Sequence, residues 1–285
     1  MFCGLALALV IAGLAGARLD PPRELLAAGA LLLLLGMPHG SLDVILARKL
    51  IGAGSVSKWA MFALFYLGLA ALVVGFWVIA PTLFLCVFLL GSAFHFGGDL
   101  AGGATIVMRS LYGGAVIVLP ALWNGVELQR LLGAVAGPSS AALVTPVLSQ
   151  LAAPWLVATV LACLLQARTS LPAACEAAAL AALSVTAPPL VAFTAYFCAM
   201  HSPRHVLRSL SSLPAAEVRH ALMLAVWPTL AVLAAAALLA AWASELPLET
   251  RVMQLVFVGL AALTLPHMLL IEHARRVELQ ENRQQ

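Results

Sequence analysis

The sequence predicts an all-α fold, a polytopic transmembrane helix bundle of about ten helices, forming one integral membrane domain over residues 1–285 with both termini cytoplasmic. Three observations predict it. Of 285 residues, 63% are hydrophobic and only 9% charged, and the mean hydropathy is +1.05. A water-soluble domain carries roughly a quarter charged residues, because its surface faces water. Pro, Gly and charged residues divide the chain into ten apolar segments, most of them near the roughly 20 residues that cross a bilayer. Numbering these segments as alternating crossings puts Arg48, Lys49, Lys58, Arg109, Arg168, Arg204, Arg208, Arg219, Arg275, Arg276 and Arg283 on one side, against Arg18, Arg23, Arg130 and Arg251 on the other. Eleven against four identifies the cytoplasmic side, since cytoplasmic loops are the ones enriched in Lys and Arg.

Each segment has its own boundaries. Residues 2–18 are apolar from the second position, and their first basic residue, Arg18, follows the run; this reads as a retained transmembrane helix, not a signal peptide. Segment 24–47 follows Pro21-Pro22 and closes at Arg48-Lys49. Segments 57–80 and 82–99 meet at Pro81, and 104–122 starts after Gly102-Gly103. Residues 123–142, with Asn124, Glu127, Arg130 and Gly137-Pro138, read as a loop with a short interfacial helix. Segment 143–167 ends at Arg168. Pro188-Pro189 separates 172–187 from 189–210, because a residue preceding proline is disfavoured in helix. Segments 217–243 and 251–275 are divided by Glu245, Pro247 and Glu249.

Composition also excludes function classes. A net charge of +3, scattered along the chain, gives no basic face for nucleic acid. Cys3, Cys86, Cys163, Cys175 and Cys198 are odd in number, form no C-x-x-C pair and sit in apolar runs, so they indicate neither a disulfide framework nor a thiolate metal site.

The histidines carry the chemistry. His39 lies in the second segment, His95 in the fourth, His201 and His205 in the eighth and His267 in the tenth. These four segments run in the same direction, from outside to cytoplasm. His39 is 15 residues from the outer end of its segment, His95 is 13, His201 is 12 and His267 is 16. At a rise of 1.5 Å per residue the depths agree within about 6 Å. Ionisable side chains are costly inside a membrane and face the protein interior, and one shared depth is what a metal site between bundled helices requires. His201 and His205, at i and i+4, share a helix face. Taken singly, each histidine is equally well read as hydrogen-bonded to local polar neighbours; His220 and His273 lie near cytoplasmic ends and read as interfacial.

His39 and Asp43, and again His95 and Asp99, form H-x-x-x-D pairs. Each carboxylate is positioned either to accept from its histidine, as metal-bound imidazoles commonly require, or to pair with a base such as Arg48 or Arg109. Direct ligation by an Asp is less favoured with so many imidazoles near. An imidazole-rich site suits iron, copper, zinc or nickel. The residues alone thus lead to a buried metal site acting on something lipid-soluble.

Together, Pro38-His39-Gly40-Ser41-Leu42-Asp43, Phe94-His95-Phe96-Gly97-Gly98-Asp99, Tyr196 to His205 and Pro266-His267 resemble the Brp/Blh family of membrane β-carotene 15,15′-dioxygenases. The resemblance implies central oxidative cleavage of β-carotene, or a related carotenoid, with O2 to give retinal. It implies Fe(II) held by His39, His95, His201 and His205. His267, Asp43, Asp99, Tyr196 and Phe197 would support these ligands or line the substrate pocket. The setting would be the cell (inner) membrane among lipids, with a retinal-binding rhodopsin as the product's recipient. Two other readings stand beside it: another non-haem-iron membrane oxygenase, and a metal-ion transporter. A transport path needs polar groups at several depths, whereas these lie in one layer. A di-iron hydroxylase needs compact H-x-x-H-H boxes, and Ser92 lacks the glycine-rich surroundings of an intramembrane serine nucleophile.

Overall fold

Long runs of Leu, Ala, Val and Phe in a lipid setting leave backbone groups only one another to bond, which selects helices. A computed structural model describes residues 2–36, 38–51, 55–100, 104–211 and 213–284; the side chains of residues 38, 39, 49, 275 and 278–284 lie outside the description. No strand occurs among the described residues. The helices are α1 (Phe2–Leu14), α2 (Pro21–Leu31), α3 (Pro38–Ser41), α4 (Asp43–Ile51), α5 (Val56–Ile79), α6 (Pro81–Gly97), α7 (Ile106–Val118) and α8 (Gly125–Ala136). They continue with α9 (Pro138–Gln166), α10 (Leu171–Thr186), α11 (Pro189–Tyr196), α12 (Ser202–Ser211), α13 (Ala215–Trp242), α14 (Leu248–Met253) and α15 (Gly259–Gln284). Wider π turns join α2 to α3 (Leu32–Gly36), α11 to α12 (Phe197–His201) and α14 to α15 (Gln254–Val258).

Each of the ten expected segments is helical, but they are not ten regular spans. The second is broken into α2, a π turn, α3 and α4, and the eighth into α11, a π turn and α12. Among the described residues, four helices are long and apolar enough to cross a bilayer: Val56–Ile79, Pro138–Gln166, Ala215–Trp242 and Leu248–Ala274. Ile106–Leu122 and Gly125–Ala136, bent by 113°, make a fifth if counted as one broken span. Residues 123–142, read as a loop with a short interfacial helix, hold the short helix α8 and, from Pro138, the first turn of α9 in place of a loop. α9 begins at Pro138, whose fixed φ suits a first helical turn, and Gly137 turns the chain between α8 and α9 at φ +89°.

α5 buries only Val73, and α13 only Ala221 and Ala225, so their apolar faces point outward as lipid-facing helices do. The interior rests on small residues. Ala173, Ala174, Ala177 and Ala181 let α10 lie close to α1, α7 and α9. α6 and α7 cross at Gly97 and Gly113, where a Cβ on Gly97 would come 2.7 Å from the Arg109 carbonyl oxygen. α3 packs against α12, α13 and α15, while α15 also lies on α4 and α5. The C-terminal end of α6, the π turn before α12, and the facing sides of α4, α12 and α15 therefore surround one buried region.

Candidate active site

Four imidazoles meet in that region. The His95 ring, on the last turn of α6, lies 4.9 Å from His201 and 5.8 Å from His267, centroid to centroid. His205, one turn beyond His201, lies 4.8 Å from His267. His201 and His267 are each 2% exposed. His39 lies on α3, whose backbone packs against α12 and α15, the helices carrying His205 and His267; its side chain is outside the described residues. His220 stands apart, beside Arg48 and Glu217, and His273 is exposed.

Two of the rings are held in the same way. Asp99 Oδ2 accepts from the Tyr196 hydroxyl at 2.6 Å and bonds His201 Nδ1 at 2.8 Å. Asp43 accepts from the Tyr66 hydroxyl at 2.9 Å through Oδ2, and bonds His267 Nδ1 at 2.7 Å through Oδ1. An ionised carboxylate only accepts, so Nδ1 carries the proton in each pair, and the Nε2 lone pair points to the opposite side of the ring. Of the two partners open to each Asp, Asp99 bonds neither His95 nor Arg109 through its carboxylate but His201, while the His39–Asp43 pairing lies outside the described residues and Asp43 bonds His267. α6 ends at Gly97, so Asp99 has left the helical face that His95 occupies. Likewise Leu42 interrupts the helix between His39 and Asp43. Both carboxylates reach to a neighbouring helix.

A further network backs this layer. Arg204 forks onto Glu176, with Nη1–Oε1 at 2.7 Å and Nη2–Oε2 at 2.8 Å. Tyr112 donates to the same Glu176 Oε1 at 3.1 Å. Arg204 also donates to the Asp99 carbonyl at 2.5 Å, and Arg208 to the same oxygen at 3.2 Å. Sequence reasoning passes over Tyr66, Tyr112 and Glu176. The signal that finds Glu176 is an acid inside an alanine-rich apolar helix, where burial demands a partner.

Tyr196 is fully buried and donates its hydroxyl to Asp99, so it positions that carboxylate. Phe197 is 3% exposed, stacks on Phe193 at 5.4 Å and lies 4.9 Å from the His201 ring. Its ring occupies the space a Cβ on Gly36 would need, 2.8 Å away. On the polar side of the ring layer, a cavity of about 490 Å³ is lined by Asp43, His95, Asp99, His201, His205 and Arg208.

Among the described residues, no three His, Cys, Asp or Glu groups stand as a preformed metal cage. The chemistry of the set nevertheless fits an imidazole-bound ion. Four rings adjoin, two have Nδ1 fixed by a carboxylate, and Nε2 of those two is buried.

An apolar helical bundle enclosing a carboxylate-anchored imidazole layer defines an integral-membrane protein with a buried candidate catalytic centre. The family described as beta-carotene 15,15′-dioxygenase matches residues 30–274, a stretch that holds all of these site residues. The chain belongs to that family and is a carotenoid-cleaving dioxygenase. It is also similar to a curated beta-carotene 15,15′-dioxygenase from Uncultured marine bacterium 66A03, 28% identical over 273 residues, covering 88% of this chain and 95% of the relative. No solved structure matches.

Proposed function

We propose that this protein cleaves β-carotene, or a closely related carotenoid, at its central double bond with O2. Both oxygen atoms end in the products, two molecules of retinal. Fe(II) would be held by His39, His95, His201 and His205, with His267 beside them. The observation that carries this reading is the imidazole layer, anchored at two points by carboxylates. Bound there, iron would supply vacant positions at which O2 is activated.

The protein's own contribution is positioning and exclusion. Asp99 and Asp43 fix the tautomer and orientation of His201 and His267, while Tyr196 and Tyr66 fix the carboxylates. Phe96 and Phe197, with ring centroids 5.0 and 4.9 Å from that of His201, keep one side of the layer apolar, as a hydrocarbon substrate requires. No separate protein acid or base is needed. The Lys and Arg bias supports ten crossings with both ends in the cytoplasm, in a cell membrane whose lipid delivers the substrate; a retinal-binding rhodopsin is the recipient such a product fits.

The test is anaerobic purification, loading with Fe(II), then addition of β-carotene and O2 with products separated by chromatography. The parent is expected to form retinal and retain about one iron per chain, and His201→Ala to lose both. Iron without retinal would overturn the substrate, and retinal formation undiminished in His201→Ala would overturn the metal set.

A further inference from the structure

The ring layer meets polar groups at Asp43, Asp99 and Arg208, and aromatic rings at Phe96 and Phe197. A cavity of about 180 Å³ lies between α5, α6 and α15. Its walls include Phe88, Gly91 and Ser92 from α6 and Thr264, Leu265 and Met268 from α15. Gly91 and Ser92 precede His95 by four and three residues, which is one helical turn. Thr264 stands in the same relation to His267, and Met268 follows His267 directly. The groove's inner walls therefore stand one helical turn from His95 on α6 and from His267 on α15.

The lining is apolar in practice as well as in composition. Thr264 donates its hydroxyl to the Leu260 carbonyl of its own helix at 2.7 Å, so that group is already used. The outer rim is Leu72 and Val87, each more than half exposed, which faces hydrocarbon in a membrane. Phe88 and Ser92 also wall a second, inner apolar cavity of about 80 Å³, lined further by Phe96, Phe193 and Phe257. Two side chains thus divide a lipid-facing groove from an interior pocket that borders the same histidine layer. The large cavity on the other side carries Asp43, Asp99 and Arg208 and suits water or an aldehyde, not a polyene.

We infer that the groove between α6 and α15 is the lateral access and binding site for one half of the carotenoid, taken directly from the bilayer, with Gly91 setting its width. This rests on the carotenoid-cleavage reading above. A long hydrocarbon has no aqueous route, and this groove gives it an apolar wall at the lipid face, one helical turn from His95 and His267.

Gly91 makes the inference testable, because a Cβ there meets nothing within 4 Å. A larger residue enters the groove and leaves the helix packing alone. The experiment compares the parent, Gly91→Ala, Gly91→Phe and Leu90→Phe, a neighbouring lipid-facing control that is 72% exposed in the parent. Each is expressed in cells accumulating β-carotene, purified anaerobically, and assayed for bound carotenoid, bound metal and steady-state cleavage. Gly91→Phe is expected to lower carotenoid occupancy and kcat/KM at least tenfold with metal content unchanged. Gly91→Ala should lose less and Leu90→Phe nothing; if Gly91→Phe does not fold, the Ala variant decides by its KM. Normal carotenoid occupancy in Gly91→Phe, or an equal loss in Leu90→Phe, would overturn the groove while leaving the function standing. A parent that neither binds nor cleaves β-carotene would overturn the function itself, and the groove with it.

Discussion

Replacing Asp99 tests whether the carboxylate anchors hold the ring layer. Both donors, the Tyr196 hydroxyl and His201 Nδ1, converge on one oxygen, Oδ2. An asparagine can therefore put its amide oxygen there and keep both bonds, losing only the charge. Hydrogen bonds to charged groups contribute about 1.5–3 kcal/mol and neutral ones about 0.5–1.5, so Asp99→Asn should cost about 2 kcal/mol over two bonds. Asp99→Ala removes the oxygen. Tyr196 is fully buried and His201 is 2% exposed, so two donors lose their acceptor out of reach of bulk water. At about 1–3 kcal/mol for each orphaned group, the cost is about 2–6 kcal/mol. Denaturant unfolding in a mixed micelle, followed by tryptophan fluorescence, should rank the stabilities parent, Asn, Ala. Metal retention against a chelator should fall about 10–100-fold in the Ala variant, the usual effect of removing a ligand's carboxylate partner. An Ala variant as stable as the Asn variant would refute the anchoring argument, because the bonds would then contribute nothing beyond the charge.

Other parts of the structure lead to shorter tests. Arg204→Lys loses the two-pronged contact with Glu176 and should destabilise the fold by about 1–3 kcal/mol, since a lysine cannot reproduce a bidentate fork; thermal melts in detergent check this. Gly113→Ala drives a Cβ against the backbone of α6 at Ala93 and Gly97, and the overpacking should cost about 1–3 kcal/mol, read as lower yield and a lower melting temperature. Tyr66→Phe should be milder than Tyr196→Phe. The Tyr66 bond to Asp43 is longer and only half-buried, whereas that of Tyr196 to Asp99 is 2.6 Å and enclosed, so their melting temperatures should fall in that order. Chelation under anaerobic conditions should abolish cleavage, and Fe(II) alone should restore it.

What the sequence makes legible is depth, and what it hides is direction. Counting residues from segment ends puts His95, His201 and His267 at one level, and in the structure their rings adjoin. The count survives the irregular helices because one extra or missing helical residue shifts height by only about 1.5 Å. The same irregularity rotates every later side chain by about 100°, since 3.6 residues make a turn. Face assignments are therefore fragile where depth is robust. Asp99 follows the end of α6 at Gly97, and Asp43 follows the interruption at Leu42, so the H-x-x-x-D spacing does not fix which imidazole each carboxylate meets. The π turns before α12 and α15 carry no composition signal, yet each lies on an element bearing one of the layer's histidines. π turns inside helices frequently mark functional sites. Here the reason is geometric. Regular helices present side chains at fixed angles, and a π turn changes those angles on the two elements that bring His201, His205 and His267 to His95. The breaks that defeat a reading of helical faces are the same ones that let the histidines converge.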